Sequence, residues 1–150
     1  MKYLNITVVA LIAAFSVSVN ADNGMKVLES NHDVPTTVQK LVTVLESKGM
    51  KIFNQVDHAA GAASVGEELR PTTLVIFGNP KVGTKLMQCS QSMGIDLPLK
   101  MLVWHDESEK VWLGYNDASS LAARHSLPGC EGVVEKVNGA LMKFATAATQ

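Results

Sequence analysis

Nine polar side chains fall where this sequence is expected to end its strands and helices: Asp57, His58, Arg70, Asn79, Asp96, Lys100, Tyr115, Arg124 and His125. Strand ends and loops are where a rigid scaffold presents functional groups. Two of the histidines sit beside a charge, His58 after Asp57 and His125 after Arg124, and an imidazole so placed can be tuned for proton transfer or anion binding near neutral pH. Arg70, Lys100, Arg124 and His125 would bring positive charge to a small anionic or apolar-anionic ligand. His58 and Tyr115 would add hydrogen bonds, with Asn79 and Asp96 completing the set. Read structurally instead, Arg70 would pair with Asp96 or Asp57 to pin loops, and Asn79 and Asp117 would cap helices. The enzymatic alternative is a hydrolase or other acid–base catalyst with His58 or His125 as general base. No Ser-His-Asp or Cys-His order follows from the spacing.

Other chemistry is weaker. His32, His58, His105 and His125 with Met87, Met93 and Met101 offer imidazole and thioether ligands that suit copper, or haem, in a bacterial envelope. No two histidines stand at helical or strand spacing, and these methionines also suit core packing. Gly78 to Lys85 brackets four residues between glycines, but Thr84 precedes Lys85 where a phosphate loop needs Lys before Ser or Thr. A helix N-terminus flanked by Lys81 can still hold a small anion. Cys89 and Cys130 are the only cysteines; they either form a disulfide or stay as buried thiols, Cys89 sharing a helical stripe with Leu86 and Met93.

The elements that must position these groups centre on Arg70 to Lys100. Thr72 to Phe77 is a β-branched and apolar run that predicts a strand buried on both faces. Asn79 as N-cap and Pro80 at the first helical position predict a helix running to about Met93, stopped by Gly94. Before it, Lys26 to Ser30 predicts a strand, and Asp33 a capped helix with apolar Val38, Leu41, Val42 and Leu45, closed by Gly49. Lys51 to Asp57 predicts a second strand, followed by a small-residue loop from His58 to Leu69 with room for a helical turn. Met101 to His105 and Val111 to Tyr115 predict a hairpin. A short helix to about His125 and a final one from Cys130 or Glu131 to about Ala145 complete a β-α-β-β-α-β-β-α-α order.

The run RPTTLVIFGNPKVGTKLM, followed by IDLPLKMLVW, resembles the signature of the DUF302 family, and DHAAGAA and YNDASSLAARHSL match it too. The likeness extends in patches from about Lys26 to Leu127. It implies an α+β fold, a curved antiparallel sheet with helices packed on one face, similar to TATA-binding-protein-like folds. It implies no activity, since the family has none established. Two positions depart from the pattern: His105 stands where an acidic residue is more usual, and the turn Asp106 to Glu109 lacks the usual glycine.

The chain has 150 residues and 18% charged positions. Met1-Lys2, the apolar stretch Ile6 to Val19 and the small-residue site Val19-Asn20-Ala21 predict a secretory signal peptide over residues 1–21, too short to span a bilayer that needs about 20 apolar residues. A single domain over 22–150 would follow, periplasmic or secreted, with no stable membrane anchor after cleavage. Without Lys2 the 13 basic residues fall to 12 against 14 acidic ones, so no basic face invites nucleic acid. A sheet apolar on both sides, with helices on only one, needs a second cover. A second copy, making a homodimer, or a small-molecule ligand in the curve of the sheet is expected to provide it.

Overall fold

The computed structural model describes residues 24–150; the signal-peptide expectation for residues 1–21 lies outside the described residues. Five strands form one antiparallel sheet: β1 Met25–Ser30, β2 Lys51–Asp57, β3 Thr72–Gly78, β4 Leu99–His105 and β5 Val111–Asn116, in the order β1-β5-β4-β3-β2. Five helices join or follow them: α1 Val34–Ser47, α2 His58–Ser64, α3 Pro80–Cys89, α4 Ala118–His125 and α5 Glu131–Thr149. The architecture is the expected α+β sheet with helices on one side.

Asp33 accepts the Thr36 N–H and starts α1 with Pro35 in its first turn, while Val34, Val38, Leu41 and Leu45 turn their stripe to the core. α5 crosses the sheet beside it, burying Val134, Val137, Leu141, Phe144 and Ala148. Those two stripes close over Val75 and Phe77 of β3, Met101 and Val103 of β4, and Leu113 and Tyr115 of β5. Phe77 and Phe144 meet edge to face at 6.4 Å, a geometry that aromatic quadrupoles favour.

Two elements differ from expectation. The helix from Asn79 stops at Cys89 rather than near Met93, because Ser90 adopts an extended backbone (φ −153°, ψ 114°) and Gln91–Ile95 continue as a 3-10 turn. Cys89 and Cys130 are joined, with Cα atoms 6.4 Å apart, so the break lies beside the bridge that ties α3 to the start of α5. His58 to Ser64 is a helix of 7 residues, longer than the single helical turn expected within this loop: Asp57 accepts the Ala60 N–H as N-cap and the alanines supply propensity. It buries no residue, which is why no apolar stripe announced it.

Candidate functional site

Strand alternation sends Val75, Phe77, Met101 and Val103 to the helices and Leu74, Ile76, Leu102 and Trp104 to the other face. Register continues that second face through Val27, Gly114 and Val56 in one cross-strand row, and through Trp104 and Trp112, paired directly, in the next. The Trp104 indole comes close to Gly114 because Gly114 has no side chain: a Cβ there would stand 3.0 Å from the indole ring. The centre of this face is apolar and partly shielded within one chain, while its rim is polar: Lys100 and Asn54 flank Ile76, Glu29 is paired with Trp112 and Thr72 with Trp104.

A cleft of about 490 Å³ opens between α3, α5 and the β2–β3 edge. Its wall is built by Phe53, Phe77, Leu86, Leu97, Val137 and Leu141. Gly83 keeps the middle of the α3 face low; a Cβ there would reach only Leu97, at 3.7 Å. Lys81 and Lys85, one helical turn apart on α3, and Lys136 on α5 belong to the same lining and are exposed. Among the described residues none of the three has an ion-pair partner. The cleft therefore joins an apolar interior to three uncommitted ammonium groups.

The sequence-predicted residues divide between the two ends of the sheet. At the start of β4, Asp96 gathers three of them. Its carboxylate accepts from His125 Nε2 at 2.5 Å and Arg124 at 3.2 Å, and its backbone oxygen accepts from Lys100 Nζ at 2.9 Å. His125 Nδ1 lies 2.9 Å from Ser92 Oγ, so a Ser92–His125–Asp96 chain exists in space although its spacing in sequence gave no sign of it. In a neutral imidazole that donates to the carboxylate through Nε2, Nδ1 is left as an acceptor for the serine hydroxyl, whereas in an imidazolium both nitrogens donate. These groups tie the 3-10 turn to the C-terminal end of α4, outside the cleft.

At the other end, Arg70 donates to the His105 carbonyl and pairs with Glu107 at 3.5 Å, rather than with Asp96 or Asp57. His58 opens α2 and is exposed. Tyr115, paired with Met101 and so back at the Asp96 end, is buried on the helix side with its hydroxyl 3.8 Å from Met142 Sδ, and burial raises its pKa with Asp117 adding to the effect. Asn79 caps α3, accepting the Lys81 N–H, and is the one member of the expected set that lines the cleft. His58, Arg70, Lys100 and His125 thus do not share one concave surface. Lys85, Lys136, Gly83 and Phe53 were missed. The visible trace was the Lys81/Lys85 spacing on a helix with glycine between them.

Among the described residues no three His, Cys, Asp or Glu side chains group as a metal site. No helix there is long and apolar enough to cross a membrane.

A family model described as a domain of unknown function, DUF302, matches residues 26–144. The crystal structure of an uncharacterized conserved DUF302 protein from Bacillus stearothermophilus matches with a TM-score of 0.77 at 14% identity, covering 84% of this chain and 98% of that one; it speaks to fold alone. Proteins named fluoride-specific ion channel FluC 1, from Brucella suis biovar 1 and Brucella abortus biovar 1, are 44% identical over 128 residues and match 83% of this chain. The chain spans about half the length of these curated relatives, 50% and 47%. With the model matching most of its length and the fold shared, the chain belongs to the DUF302 family.

Proposed function

We propose that this domain binds a small amphipathic anion in the cleft between α3 and α5. The supporting observation is the coincidence of an apolar cleft of about 490 Å³ with Lys81, Lys85 and Lys136, none of them paired among the described residues. Ligand sites are concave, mostly apolar and carry a few polar groups for orientation. The residues chosen from sequence act here mainly as supports: Asn79 starts the helix that carries Lys81 and Lys85, and the Asp96 cluster fixes the segment that leads to Leu97. Fluoride is a poor match for this cleft, since a small hydrated ion needs converging donors. The channel activity named for the Brucella proteins belongs to those whole proteins. Titration with 1-anilinonaphthalene-8-sulfonate, an apolar anion, tests the reading. Saturable binding to the native protein that Gly83→Leu abolishes supports it; binding unchanged by Gly83→Leu refutes it.

The domain is further proposed to work as an exported homodimer. The Cys89–Cys130 bridge suits an oxidising compartment, and the centre of the Trp104–Trp112 face is an apolar surface only partly sheltered within one chain. A second reading, an acid–base enzyme using His125, draws on the Ser92–His125–Asp96 chain. Its test is labelling of Ser92 by a fluorophosphonate. Covalent modification lost in His125→Ala favours it, and no adduct removes it.

A further inference from the structure

Resting on the cleft reading, we infer that the ligand is a single-chain amphiphile: an unbranched hydrocarbon tail ending in a carboxylate or phosphate. The deep wall is made of hydrocarbon and aromatic groups, Phe77, Leu86, Leu97, Val137, Leu141 and Phe144. The tail must therefore carry no hydroxyl or amide, because a polar atom placed there would lose its water and find no partner. Met50 and Met87 also contribute to the lining. Unbranched thioether side chains adapt to different shapes, so the wall accommodates tails of different length better than one rigid ring system.

The head is set by charge and by position. Lys81 and Lys85 stand one turn apart on α3 and Lys136 stands on α5, and all three are exposed members of the lining, so both helices bring positive charge to the cleft. Three exposed ammoniums with no carboxylate partner among the described residues favour an anion and repel a cation. Lysine acts as a point charge rather than a planar fork, so carboxylate and phosphate heads are both accepted. The chemistry fits a free fatty acid and an alkyl phosphate alike.

Calorimetric titration of the oxidised full chain tests this, with decanoate, decyl phosphate, decanol, decyltrimethylammonium and cholate, all below micelle formation. Decanoate and decyl phosphate are expected to bind, decanol about tenfold more weakly or worse, and the cation and the ring-shaped cholate weakest. A Lys81→Gln/Lys85→Gln/Lys136→Gln variant should lose the preference for decanoate over decanol while keeping the affinity for decanol. Decanol or the cation binding as tightly as decanoate, or cholate binding best, overturns the single-chain anion while leaving the cleft as the ligand site. No binding by any member of the series, with 1-anilinonaphthalene-8-sulfonate also failing to bind, overturns the cleft reading itself.

Discussion

Asp106 organises the β4–β5 turn through both of its oxygens. One accepts the Ser108 and Lys110 N–H groups at 2.8 and 3.0 Å, and the other accepts Trp112 Nε1 at 2.6 Å. The indole bond, followed by the backbone N–H groups, lowers the Asp106 pKa below the usual carboxylate value. A depressed carboxyl contributes its stability above its unfolded pKa and loses it as pH falls through the lowered folded pKa. Asp106→Asn should therefore flatten the acid side of a denaturant-stability profile without changing its neutral-to-alkaline shape; an unchanged acid limb would count against this role. Glu109 completes the turn with φ +61°, taking the left-handed conformation that a glycine adopts without cost. A glycine would therefore sit in this turn without strain, and Glu109→Gly should stabilise by about 1 kcal/mol in urea unfolding. Single residues were legible where they act locally, as at the caps Asp33, Asn79 and Asp117. The Ser92–His125 contact joins positions 33 apart, and nothing local specifies such a pairing.

α3 and α5 form the cleft, and the bridge between Cys89 and Cys130 holds the end of one against the start of the other. The bridge closes a loop spanning 41 positions, so in the chain-entropy account breaking it should cost about 4 kcal/mol. Urea unfolding of Cys89→Ser/Cys130→Ser should show that loss and, if the bridge sets the helix spacing, weaker binding of the apolar anion as well. Leu141, 1% exposed and facing the cleft, should lose about 3 kcal/mol as Leu141→Ala by chemical denaturation. Long helices were legible from the period-3.6 stripes of α1 and α5, and β3 and β4 from their apolar runs. In β2 a register shift between Ile52 and Asn54 sets Ile52 opposite core-facing Phe77 and Val56 opposite Leu74 of the other face, so alternation there did not predict which side each residue takes. The end of α3 was not: Ser90 breaks the helix through its backbone conformation beside the bridge, and the apolar stripe from Leu86 to Met93 runs on without a sign of it. The cleft itself was illegible for a related reason. Its two walls come from helices about 50 positions apart in the chain, and their lysines look like ordinary solvated charges until α3 and α5 are set side by side.

At the scale of the whole molecule the sequence carried its firmest message in the sheet. Leu74, Ile76, Leu102 and Trp104 alternate with core residues and stay apolar, so the second face was readable before any topology was known. Which cover it receives was not readable, because a partner and a ligand leave the same apolar signature. If a second copy covers it, sedimentation equilibrium should give a dimer at micromolar concentration and a monomer for Leu102→Glu, with the apolar anion still bound by that variant. A monomeric native protein would contradict the dimer and leave the cleft untouched. The central claim, that the ligand lies between α3 and α5, is tested most directly by backbone amide chemical-shift mapping during titration with 1-anilinonaphthalene-8-sulfonate. Shifts are expected to concentrate at Gly83, Met87, Leu97, Val137 and Ala140; shifts concentrated instead at Leu74, Leu102 and Trp104, or at Ser92 and His125, would contradict it.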